Sequence, residues 1–96
     1  MTLGDKLIAA KALIATPEKW GKGKYKHDGR RCALIAIDHG GAGYAGHMAL
    51  REALPGDFAC ILAFNDHPDT THADIMALFD RAIAAAVGST EGSEQK

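Results

Sequence analysis

Residues 65–83 read N-D-H-P-D-T-T-H-A-D-I-M-A-L-F-D-R-A-I, a polar turn that runs straight into a periodic helix. Ile75, Leu78, Phe79, Ala82, Ile83 and Ala86 recur at helical spacing and form one apolar stripe, which predicts a core helix over 71–87. Thr71 stands at the N-cap position with Asp74 three residues on. The hydroxyl there accepts from a free N–H of the first turn, and the carboxylate answers the N–H of the cap. Pro68 stops whatever precedes the turn. The stretch settles one core element and offers no catalytic apparatus.

Outward from this helix the chain is small. Its 96 residues make one domain, expected at 1–87, and Gly88 to Lys96, without a large apolar residue, reads as a disordered tail. A chain of this size buries roughly 60–65% of its unfolded surface, enough for one modest core. The apolar share is 47%, much of it alanine, so core strength falls to a few Leu, Ile, Phe, Met and Trp residues. A partner or a homodimer would supply the missing burial.

Thr2 and Asp5 repeat the capping pattern at the first helix, expected at 2–16 with Leu3, Leu7, Ala10 and Ile14 on one face. Pro17 suits the first position of a further short turn. Residues 24–32 read K-Y-K-H-D-G-R-R-C, and Asp28-Gly29 fits a two-residue hairpin turn, so a small β-ribbon is expected there. Three more helices are expected at 33–39, 45–54 and 57–65, the last capped by Asp57. The fold class is then mostly α, a compact helical bundle with one hairpin near 24–32. The alternative is a miniature α/β layer with 32–37 and 58–64 as parallel strands, because short apolar runs fit either state.

G-A-G-Y-A-G at 41–46 matches the G-x-G-x-x-G dinucleotide fingerprint, with an apolar run before it and Asp66 in the place of a ribose-binding acid. Three residues, Asp38, His39 and Gly40, separate the run from the first glycine, and 48–54 is short for a crossover helix. A turn between two helices is the expected reading. Cys32 and Cys60 sit in apolar runs without a C-x-x-C motif and are expected as free buried thiols in a reducing compartment. No signal peptide is visible and no apolar run approaches a membrane span, which places the chain in the cytoplasm.

Charge is the one uneven property. The window 19–31 holds Lys19, Lys22, Lys24, Lys26, Arg30 and Arg31 against Asp28 alone, a local charge of +5 in a chain whose net charge is −1. The expected function is a non-enzymatic binding module that engages a protein partner through Lys22, Lys24, Lys26, Arg30 and Arg31, without a cofactor. The same ribbon supports nucleic-acid binding as an alternative, with phosphates on the basic side chains and bases stacked on Trp20 and Tyr25. A small metal-dependent enzyme is a third reading, with Asp66, Asp69 and His72 converging at one helix start as oxygen and imidazole ligands. Against it, Asp and His are ordinary first-turn residues.

Trp20, Gly23 and Tyr25, then Asp28-Gly29, Cys32-Ala33-Leu34, Phe64-Asn65-Asp66, Pro68, Thr71-His72, Asp74-Ile75 and 78–83 (L-F-D-R-A-I) together resemble a small bacterial and phage family catalogued only as a domain of unknown function. The resemblance spans most of 5–86 and is strongest in the last third. Residues 40–56 depart from the family pattern, where a glycine-free helical connection is usual. The resemblance implies a mainly helical domain with a small ribbon, and no reaction. Its phage and mobile-element setting implies an accessory protein that inhibits or attaches to a host protein. It also singles out Trp20, Asn65 and Asp66, which are expected to brace the scaffold: the polar pair by satisfying backbone groups between helices, Trp20 by closing the core under the ribbon.

Overall fold

The computed structural model describes residues 2–22 and 30–94, with side chains up to Val87. Among the described residues five α-helices form one mostly α globule: α1 (Leu3–Leu13), α2 (Ala33–His39), α3 (Gly43–Glu52), α4 (Ile61–Asp66) and α5 (His72–Glu94). A 3-10 turn, Pro17–Lys19, follows α1 with Pro17 in its first position. Thr2 and Asp5 exchange both capping-box bonds at the start of α1, and Thr71 and Asp74 do the same before α5.

α1 and α5 share the largest interface, and α2, α3 and α4 close the remaining sides. Leu7, Ala10 and Ile14 of α1 meet Ile75, Leu78, Phe79 and Ala82 of α5 in one core, with Ala36 and Ile37 of α2, Leu50 of α3, and Ile61 and Phe64 of α4. Ile8, off the α1 stripe, is exposed. An ion pair between Lys11 and Asp80 (2.6 Å) ties α1 to α5 at the surface, where such pairs add less than about 1 kcal/mol.

The helices differ from the sequence reading at several places. Residues 32–37 and 58–64 form no strands, so the α/β layer is excluded; Cys32 is the N-cap of α2 and Cys60 that of α4. The third helix spans Gly43–Glu52 rather than 45–54. α4 begins at Ile61, four residues later than expected, and Asp57 caps nothing. The cause is Phe58, whose ring folds back on Phe64 (5.1 Å, edge to face) and His67 (5.4 Å). The contact resembles a hydrophobic staple set one residue further out, from N″ rather than N′ to N4, and keeps the chain in front of the cap extended. Cys60, expected in the core, is exposed, and its Sγ accepts from the Ala63 N–H (3.4 Å). The backbone of α5 runs on to Glu94. Helix propagation adds one hydrogen bond for each residue fixed, and no proline interrupts it.

Of the ribbon expected at 24–32, residues 23–29 lie outside the described residues. Its flanks form no strand. They meet in an isolated parallel bridge, with the Arg31 N–H donating to Lys19 O (2.8 Å) and the Gly21 N–H to Arg31 O (3.0 Å). A two-residue hairpin joins antiparallel segments, so this parallel contact is not the base of one. Among the described residues no helix is long and apolar enough to cross a membrane.

The glycine-rich turn has a packing function. A Cβ on Gly40 would lie 2.8 Å from the Ala10 backbone, so glycine there lets α2 end against the α1 main chain. A Cβ on Gly46 would lie 2.3 Å from Ala42 Cβ and 3.0 Å from Ile37 Cγ2. What precedes the G-x-G-x-x-G sequence is a helix, not the strand a dinucleotide site needs. Gly40→Ala and Gly46→Ala are therefore expected to lower the unfolding free energy by about 1–3 kcal/mol each, overpacking outweighing the helix propensity gained at Gly46. Gly4→Ala, whose Cβ would meet Val87 at an ordinary 3.4 Å, is expected to raise it by about 0.5 kcal/mol. Urea unfolding of the three variants checks the difference in sign.

Candidate functional site

The polar residues singled out by the sequence converge on Asn65, in the last turn of α4 and fully buried. Its Oδ1 accepts from Trp20 Nε1 (2.7 Å) and from the Ala33 N–H (3.1 Å). Its Nδ2 donates to Gly21 O (3.2 Å) and to Asp66 Oδ1 (2.9 Å). The amide thus uses both acceptor and both donor positions. Ala33 opens α2, and Cys32 gives that helix no side-chain cap, so Asn65 caps α2 from across the core.

Trp20 completes this junction. Its indole is nearly buried, tilted against the His72 ring at 6.1 Å, with Lys22 Nζ 5.9 Å from its centroid. His72 Nε2 lies 2.8 Å from Ile14 O, the C-cap of α1. A carbonyl only accepts, so Nε2 carries the proton and the first residue of α5 closes the end of α1. The indole that the nucleic-acid reading needs as a stacking platform is therefore taken up inside the fold.

The metal reading fares similarly. Among the described residues no three His, Cys, Asp or Glu side chains stand together as a metal set, so Asp66, Asp69 and His72 do not converge. The physical reason is local: His72 turns to Ile14, and the Asp69 backbone N–H donates to His67 Nδ1 (3.1 Å), which holds the turn before α5.

Of the basic candidates, Lys24 and Lys26, with Tyr25, lie outside the described residues. The other three are anchored. Lys22 Nζ donates to His67 O. Arg30 Nη1 donates to Pro17 O (3.2 Å) and Trp20 O (3.0 Å). Arg31 Nε donates to His39 Nδ1 (2.9 Å). Lys19, Lys22 and Arg30 remain exposed and Arg31 half-exposed, so the described ends of the segment are rooted in the scaffold while their charge stays in reach of solvent.

One feature escaped the sequence reading. A groove of about 650 Å³ lies between α3 and α5, lined by alanines of both helices with Leu3, Tyr44, Met48, Glu52 and Arg81. Its signal was present as alanines at 45, 49 and 53 and at 82, 85 and 86, a small-residue face on each helix.

Asn65→Ala leaves two buried N–H groups, of Trp20 and Ala33, without an acceptor, each worth about 1–3 kcal/mol. The variant is expected to lose about 3–5 kcal/mol in urea unfolding followed by circular dichroism, a large part of the stability of a small domain. Trp20→Phe removes one donor and shrinks a nearly buried ring, but leaves Asn65 its Ala33 donor, and its expected loss is about 2–3 kcal/mol.

No curated protein and no solved structure matches the chain. A family model, described as a family of unknown function (DUF6197), matches residues 1–85. That match spans the Trp20 segment, the Asn65 junction and nearly all the described helices, and the chain belongs to this family.

Proposed function

We propose that this chain is a non-enzymatic binding module that engages an acidic protein surface through the basic segment from Lys19 to Arg31. The observation that carries the reading is the +5 charge of that window in a chain of net charge −1, held at both ends by bonds to the scaffold. Concentrated charge of one sign speeds encounter with a complementary surface and sets orientation. Anchoring Lys22, Arg30 and Arg31 before binding lowers the ordering cost that flexible cationic side chains otherwise carry.

A protein partner is favoured over nucleic acid because Trp20, one of the two aromatic residues that reading would stack bases on, is buried and hydrogen-bonded inside the fold. The phage-like setting implied by the family resemblance suits an accessory protein that attaches to a host protein. The test uses Lys24→Glu with Lys26→Glu, leaving the anchoring contacts of Lys22, Arg30 and Arg31 intact. Capture of a specific acidic protein from host lysate is expected with the wild-type chain and is expected to be lost with the double variant. Undiminished capture by that variant rejects the reading, and capture that vanishes on nuclease treatment moves it to nucleic acid.

A further inference from the structure

None of the described basic residues of the 19–31 window lines the groove between α3 and α5. Tyr44, at the start of α3, is 80% exposed, the most exposed of the large apolar residues described. Glu52 is the last residue of α3, and Arg81 Nε donates to Ala53 O (3.2 Å), which holds the guanidinium beside that same end. The groove therefore carries an uncovered aromatic ring at one end and an acid with a base at the other. Between them Ala45, Met48 and Ala49 line it from α3, and Ala82 and Ala86 from α5.

We propose that a second copy of this chain covers the groove, with the two α3 helices antiparallel across a twofold axis at Met48. Positions 44 and 52 are equidistant from 48, so this register sets Tyr44 of each copy over the partner's Glu52 and the partner's Arg81. The phenol hydroxyl then donates to the carboxylate, and the guanidinium meets the ring face. One twofold contact covers both exposed rings and pairs both charged ends, as an isologous interface requires. Alanines at 45 and 49 permit the helix axes to approach to about 8 Å. The charge pattern favours a copy of this chain over the acidic partner proposed above, because the groove is charge-balanced. Val87, 45% exposed and next to Gly4, extends the apolar area to the start of α1.

The groove is lined by 11 residues, fewer than the roughly 20–30 a side in a standard interface, so the dimer is expected to be weak, with a Kd in the micromolar-to-millimolar range. Sedimentation of the full chain from about 5 μM to 1 mM tests it across that range. The mass is expected to rise from monomer to dimer, and Ala45→Arg, an exposed position in the groove, is expected to weaken association at least about tenfold. Tyr44→Glu removes the ring and sets two carboxylates together across the axis, only partly offset by the partner's Arg81, and is expected to weaken the dimer. Adding Glu52→Lys to Tyr44→Glu is expected to restore it, a rescue particular to the 44–52 register. Circular dichroism confirms that each variant keeps its helix content. A wild-type chain that stays monomeric to about 1 mM overturns the proposal and leaves the groove to a foreign helix or an apolar small molecule. A dimer indifferent to Ala45→Arg, or no rescue by the second substitution, overturns it as well.

Discussion

One side-chain amide holds the architecture of this domain together. Asn65 sits in a core with no water-exposed surface of its own, and its four polar positions are matched by an indole, a helix N-terminus, a loop carbonyl and the neighbouring carboxylate. Those partners come from 32 to 45 residues earlier in the chain, apart from Asp66. Hydrophobic burial is indifferent to register, whereas a buried amide is tolerated only when its partners fall at bonding distance. The Asn65 junction thus fixes where α4 meets α2 and where the chain after the 3-10 turn crosses both. His72 does the corresponding work for α1 and α5 by closing Ile14 O.

The apolar core needs such fixing because much of it is alanine. Ala10, Ala33, Ala36, Ala42 and Ala82 are buried but contribute little area each. What alanine and glycine offer instead is close approach. Gly40 lets the end of α2 touch the α1 main chain, and Gly46 lets α3 lie on Ile37 and Leu7. Helices packed this closely gain dispersion contacts that larger side chains would have held apart. The glycine-rich turn is thereby a packing device, and its likeness to a phosphate-binding loop is coincidental in a chain where a helix precedes it.

Features encoded by near neighbours were legible in the sequence. The Thr2–Asp5 and Thr71–Asp74 boxes, the stripe from Ile75 to Ala82 and the Pro17 turn all depend on residues within a few positions of each other. What required tertiary contact was not legible in position. The start of α4 is set by the Phe58 ring meeting Phe64 and His67, a choice that neither propensity nor alternation in 58–64 reveals. Cys60 looked buried because its neighbours are apolar, yet the cap it makes turns it outward. Trp20 and Asn65 were recognisable as scaffold residues, but their mutual bond was not, since nothing local relates positions so far apart. His72 looked like a ligand because an imidazole at a helix start presents a directional ring nitrogen, and the sequence does not say whether its lone pair meets a metal or its N–H meets a carbonyl.

The way polar groups are used inside the fold also shapes what the outside can do. Indole, amide and imidazole are consumed in joining helices, and Arg30 and Arg31 are drawn in to hold the base of the cationic segment. The surface is then divided. The described basic residues of the 19–31 window line none of the α3–α5 groove, which pairs an apolar channel with a balanced acid and base. Two such faces attract different things: strong charge of one sign repels its own copy, while a charge-balanced, small-residue channel with a free aromatic ring is compatible with itself. A protein of 96 residues with little large-side-chain core gains from covering the second face, because each apolar group removed from water there stabilises a fold that the inner core alone supports only modestly. Self-association through the channel would engage none of the described basic residues of the 19–31 window, and would present that window twice. Two-point attachment raises avidity for an acidic surface wide enough to meet both without any new contact in either site.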